Sequence, residues 1–337
     1  MSPTSEHGAA DHGAAEHGAP GSHGAPDPSH EPESVYAGLF GGDSDQWAFG
    51  TDFDDPLAGL DAAVPGGASR ADLAAYCLML GDDALVASHR LAEWTSRAPD
   101  LEIDIALANI ALDLLGQARM LLIRAARVDP GVVPALPDGS PVPAEDALAF
   151  FRPDRQFRNV RLVEGEGGDF GQAIARLLLF SAWRLALLSR LAGRTGPAST
   201  DAVLAAVAAK GVKEVTYHRD FAARWFVTLA QGTPESRRRV TAGLAQAWRY
   251  RAELFTAHPA ELALAAAGVA VDPASLAAEV DAALGQVLAA SGLEPPDVPP
   301  AGMPGGRPGR DGVHTEALSA MLAPMQAVAR AHPQGRW

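Results

Sequence analysis

The sequence predicts an all-α fold, a bundle of long helices with extra C-terminal helices, and three observations carry that expectation. From Arg70 onward the apolar residues recur at helical spacing, while the alternation typical of strands is nearly absent. Between Asp154 and His258 the only prolines are Pro197 and Pro234, each placed where a helix should turn. The segments that these prolines bound are long and closely connected, as in an up-and-down bundle.

Taken in order, the first helix is expected over 71–97, stopped by Pro99. Asp100 then caps a second through Ile103, Leu107, Ile110, Leu114 and Leu121, which ends before Asp129-Pro130. Residues 130–153 read as loop with a short helix near 144–151. Long helices follow over 170–193, 200–230 and 234–257, and shorter ones over 261–267 and 273–291. A Pro/Gly-rich stretch over 294–312 leads to a closing helix over 315–331.

Composition divides the 337 residues at about position 69. Residues 1–68 hold twelve of the 41 acidic side chains and none of the 27 basic ones, so the net charge of −14 belongs mostly to this segment. It repeats His-Gly-Ala units at His7, His12, His17 and His23 and has few large apolar residues, the composition of a disordered acidic tail. Tyr36, Phe40, Trp47, Phe49 and Phe53 stand out in its second half as a docking element. Residues 69–337 form the helical domain. Being near neutral, this domain lacks the clustered Lys/Arg that a nucleic-acid groove requires. No apolar run long enough to span a membrane and no basic-apolar leader is read, so the expectation is a soluble cytoplasmic chain without membrane association. The single cysteine, Cys77, excludes an intrachain disulfide and a thiolate zinc site, and reads as a small core residue.

A long-helix bundle invites a count of the ferritin-like di-iron ligands: one Glu from each of two helices and Glu-x-x-His from two others. On the second helix Asp113 is the one carboxylate deep in the apolar stretch, but Gly116 stands where a His belongs, with Gln117 beside it. The helix over 170–193 carries no carboxylate from Gln172 onward; its interior reads Leu177, Phe180, Ser181, Trp183, Leu187. On the next helix Glu214 is followed at the third position by Tyr217 and at the fourth by His218. Glu214 and His218 share a face with Phe221 and Trp225, and read as a buried ion pair. His89 with Glu93 reads as a half-exposed pair of the same kind. Asp82 and Asp83 follow Gly81 as a cap or kink. Glu-x-x-His is absent, and the Asp-x-x-His pairs Asp27/His30 and Asp311/His314 lie in Pro/Gly-rich sequence that no rigid helix holds. Neither a Gly-x-Ser-x-Gly nucleophile nor a phosphate loop is present, since Gly165-Glu166-Gly167-Gly168 brings its own acid. The count therefore predicts neither a catalytic residue nor a metal or cofactor site, with Asp113, Glu214 and His218 as a degenerate pseudo-site.

Several stretches carry a family resemblance. They are Leu80 to Trp94, Ala98 to Met120 with its run Asn109 to Met120, Phe157 to Val160, Val212 to Arg219, Gly268 to Pro273, Gly312 to Glu316 and the ending Gly335 to Trp337. In that order they resemble the C-subunit family of the bacterial ring 1,2-phenylacetyl-CoA epoxidases, over about residues 70–337 and not over the His-rich tail. The resemblance implies a ferritin-like subunit of a multicomponent oxygenase in aerobic phenylacetate breakdown. It also implies a scaffold that pairs with a di-iron A subunit, and a reductase with flavin and iron-sulfur centres that draws electrons from NADPH. Two rival readings stand beside it: a metal-binding oxidase with irregular ligands, and a stand-alone helical binding protein.

Overall fold

The computed structural model describes residues 59–302 and 304–335. The expected disorder of the acidic segment, and its docking element at Tyr36 to Phe53, fall outside the described residues. Among the described residues nine α-helices follow in order: α1 (Arg70–Ala92), α2 (Leu101–Val128), α3 (Ala144–Phe150), α4 (Phe170–Leu191), α5 (Ala202–Gln231), α6 (Pro234–Trp248), α7 (Pro259–Ala266), α8 (Ala277–Ser291) and α9 (Glu316–Ala331). There is no β-strand among the described residues.

Side-chain caps start the central helices. Ser69, Asp100, Asp169 and Asp201 accept from the backbone N–H of Asp72, Ile103, Gln172 and Leu204, filling donors that the first turn leaves open. α1 ends at Ala92, five residues before the expected Arg97. Ser96 adopts the left-handed φ of 66° there, and its N–H donates to Asp104 Oδ1 at 2.7 Å, so the chain turns before Pro99. α6 ends at Trp248 and a 3₁₀ turn over Arg251–Phe255 replaces its expected last turns. The Arg251 guanidinium lies 5.4 Å and 4.9 Å from the Trp248 and Phe255 ring centres, which holds that turn tight.

α1 packs along α2 and α4 along α5, with α6 against α4 and α2 against α5. α4 and α6 approach closely: a Cβ on Gly243 would stand 2.6 Å from Gln172 Cα, so only glycine allows these backbones to meet. α1 and α4 are buried around most of their circumference, whereas α2 is buried on one side over its first turns and nearly all round from Met120 onward.

Asp82 and Asp83 neither cap nor kink a helix; both are fully buried in the middle of α1. Arg152 brackets Asp82 at 2.5 Å and 3.1 Å, and the Arg158 N–H donates to it at 2.8 Å. Arg310 brackets Asp83 at 3.0 Å and 2.9 Å, and the Val160 N–H donates to it at 2.8 Å. Helix geometry sends consecutive side chains about 100° apart, so the two aspartates reach two different partners. His314 is likewise held, contrary to the expectation for Asp311/His314. Its Nδ1 stands 2.6 Å from Glu164 and its Nε2 donates to the Phe157 carbonyl at 2.9 Å. Glu164 also accepts from Asn159 and from both the N–H and hydroxyl of Thr315. A closed ionic layer thus ties the segments over 152–164 and 309–315 to α1.

The residues just before α1, assigned by composition to the tail, lie on the core: Leu60, Val64 and Ala68 pack against it. Arg124 donates to the carbonyls of Ala62 and Ala63 at 2.7 Å and 3.2 Å and pairs with the buried Asp201. Leu101–Val128 is, by length and composition, long and apolar enough to cross a membrane, with mean hydropathy 1.4. Half of that window is buried inside the fold, as in the core helix of a bundle. Cys77 is buried, and burial pushes its thiol up, which keeps it protonated and inert.

Candidate functional site

The three residues singled out by the ligand count come together. Asp113 and Gln117, four apart on α2, face Glu214 and His218, four apart on α5. Asp113 Oδ2 stands 3.0 Å from His218 Nε2, while Glu214 Oε2 accepts from Gln117 Nε2 at 2.9 Å. Glu214 and His218 therefore do not pair with each other as expected. Each leans across to its own partner on α2, because i, i+4 side chains on one helix run side by side toward the neighbouring helix. In the second expected pair Glu93 is bound by Arg90 at 2.6 Å, and His89 feels the Glu93 charge without a hydrogen bond between them among the described residues.

Solvent reaches this cluster from one side. The Asp113 side chain is 39% exposed and that of Glu214 16%, whereas His218 is buried. Burial holds the His218 imidazole below its ordinary pKa although Asp113 works the other way, so the neutral ring donates its Nε2–H to the carboxylate. Burial likewise raises the Glu214 carboxyl, against the pull of Gln117 and of Lys210, whose Nζ lies 3.7 Å from it.

From α4 comes the residue that reading the sequence missed. The fully buried Arg184 donates Nε–H to Gln117 Oε1 at 2.9 Å and Nη1–H to the Leu80 carbonyl at 3.3 Å. Burial pulls its pKa down to about 10, still far above neutrality, so the guanidinium is charged. Ser181, one turn earlier on the same face, is turned back to the Leu177 carbonyl at 2.6 Å. A single charged residue inside the apolar run from Leu177 to Leu188 is the signal that could have located it.

This donor set does not fit the di-iron pattern. Where a third helix should supply a carboxylate, α4 supplies a guanidinium, a cation that repels a metal ion and takes up the hydrogen-bonding capacity of Gln117. Among the described residues no three His, Cys, Asp or Glu side chains are grouped to hold a metal. A cavity lined by Ala87, Leu91, Trp94, Val163 and Leu177 shares no residue with the cluster.

Fold and site together define the class: an all-α bundle with a polar cluster among three of its long helices. The model of the family described as Phenylacetic acid catabolic protein, PaaA_PaaC, matches residues 61–337, and the chain belongs to that family. Over 265 residues it is 43% identical to the C subunit of the 1,2-phenylacetyl-CoA epoxidase of Escherichia coli (strain K12), a match that covers 79% of this chain and 99% of that protein. The family matched is the one that the blocks around Asn109 to Met120 and Val212 to Arg219 pointed to.

Proposed function

We propose that this chain is the non-catalytic structural subunit of a cytoplasmic 1,2-phenylacetyl-CoA epoxidase complex, pairing with a di-iron A subunit that does the chemistry. The observation that carries the reading is Arg184. An oxygen-activating centre needs carboxylates around its metals, and here the core position on α4 holds a charged guanidinium bound to Gln117. The similarity to the C subunit of an epoxidase supports the complex, and Gly116 and Tyr217 at the two His positions support the absence of a metal. Under this reading the cofactors sit elsewhere: iron on the A subunit, and NADPH, flavin and iron-sulfur on a reductase. The bundle contributes a second body of matching shape that the catalytic bundle leans on.

Iron and manganese analysis tests this on the full chain with the five tail histidines, His7, His12, His17, His23 and His30, replaced by alanine. The expected content is near zero in the isolated chain, with iron appearing only in a co-purified complex with the A subunit. About two metals per isolated chain would make it an oxidase and overturn the proposal.

A further inference from the structure

α2 leaves an apolar strip uncovered, and the polar cluster opens beside it. Leu101, Ile105, Leu112 and Leu115 recur at helical spacing along one side of α2, at 68%, 52%, 63% and 45% exposure, and Tyr217 of α5 adds 44%. The strip runs about 21 Å along the helix from Leu101 to Leu115. Several large apolar side chains exposed together along one helix form a contiguous patch of the kind that marks an interaction site. Among the described residues the other strongly exposed large apolar side chains, Leu262 on α7 and Val328 on α9, stand singly on separate helices.

A bare strip would accept any apolar surface, but the flank of this one is charged. Asp113 lies next to Leu112, and Glu214 lies one turn before His218, so two carboxylates open between the strip and Tyr217. Their countercharges stand to one side: the buried Arg184 reaches them only through Gln117, Lys210 is 60% exposed and 3.7 Å from Glu214, His218 is neutral, and Asp113 Oδ1 makes no hydrogen bond among the described residues. Covering this face with a wholly apolar surface would strip both carboxylates of their remaining water, a cost that a hydrogen-bond donor on the partner, best a cation, offsets.

We propose that the α2 strip is the docking surface for a helix of the homologous catalytic bundle, and that this helix carries an Arg or Lys that closes over Asp113 and Glu214. The inference rests on the reading above that such a bundle is the partner, and it adds the surface and the chemistry of the occupant. The strip supplies area, and the carboxylates supply register. A helix with an aliphatic or acidic residue at the central position would dehydrate the two carboxylates without supplying a donor and would bind more weakly.

Co-expression with the A-type subunit of the same genome, followed by affinity measurement on the purified full-length chains, tests it. Wild type is expected to form one stable complex. Leu112→Asp and Leu115→Asp should each weaken it at least about tenfold, and Asp113→Arg should weaken it by as much while Asp113→Asn does less. Both leucines are exposed, so these variants keep wild-type helix content. Leu262→Asp and Val328→Asp, on exposed sites elsewhere, should bind as wild type. A complex that tolerates both leucine variants, or that the two controls weaken equally, overturns the surface and leaves the partner reading standing. A wild-type chain that binds no A-type subunit overturns the partner reading and the surface with it. Self-association abolished by Leu112→Asp overturns the choice of occupant in favour of a second copy.

Discussion

Two polar clusters built from the same residue types lie in this bundle, and they differ in one respect, access to water. The layer on α1 is sealed. Asp82, Asp83 and Glu164 are each fully buried and receive three or four hydrogen bonds, all but the one from Asn159 to Glu164 coming from other segments. The cluster on α2 and α5 is open: Asp113 and Glu214 keep part of their hydration and have fewer partners. A buried carboxylate persists only when every charge around it is matched, so the sealed layer reads as architecture. An open, half-matched cluster rimmed by exposed leucines is what a partner surface completes. Arg184 joins the two, with one nitrogen on the Leu80 carbonyl beside the sealed layer and another on Gln117 of the open one.

The largest break in this comparison comes from Asp83→Leu. It leaves the Arg310 guanidinium buried without its counterion and should cost about 3–5 kcal/mol in urea unfolding. Adding Arg310→Met should restore most of that loss, since an apolar pair replaces a matched ionic one. Next in size is Arg184→Met, expected to cost about 1–3 kcal/mol by stranding the buried Gln117 Oε1. If the unfolding midpoint of Arg184→Met matches wild type, the joint between the two clusters is not structural.

The two histidines sharpen the comparison through pH. Burial opposes a charge on His314, but the hydrogen bond and charge of Glu164, with the Phe157 carbonyl, outweigh it and raise its pKa above 6.5. Both ring nitrogens then donate, and the folded state binds the proton more tightly than the unfolded one. His314 therefore contributes stability that is complete below pH 6.5 and is lost as pH rises through the folded value. His218 has the opposite sign: burial lowers its pKa below 6.5, so its contribution is present above pH 6.5 and is lost as pH falls toward the folded value. Unfolding midpoints of His314→Gln and His218→Gln against wild type, from about pH 5 to 8, should diverge from it at opposite ends of the range. Parallel curves would remove the distinction. The smallest effect is expected for Asp113→Asn, below about 1 kcal/mol in the isolated chain because that carboxylate is partly hydrated. Its larger effect belongs to the complex.

Much of the helical frame was legible in the sequence because its signals are local. Asp100 before a periodic run, Pro99, Pro197 and Pro234 at the turns, and apolar spacing of three and four fix helices within a few residues. The errors fall at helix ends: α1 stops at Ala92 where Ser96 turns to donate to Asp104, and α6 stops at Trp248, where the Arg249 carbonyl accepts from Ala301 and Arg251 pairs with Asp281 of α8. At the candidate site, the absent donors were legible as residue types, Gly116, Tyr217 and a carboxylate-free stretch from Gln172. The partners were not. Glu214 was matched to His218 because they are four apart, yet each found a residue about a hundred positions away on α2.

By itself, then, the sequence determined the all-α class, the order and caps of the helices, the family and the depletion of metal-binding side chains at the expected positions. These follow from short-range periodicity and from which atoms a residue type contains. Tertiary structure alone decided that Asp82 meets Arg152, that Asp83 meets Arg310 at a separation of 227 residues, and that Arg184 enters the core beside Gln117. It also decided which side of α2 remained uncovered. Those outcomes depend on how helices distant in the chain are brought face to face, and a buried charge takes whichever opposite charge the packing delivers to it.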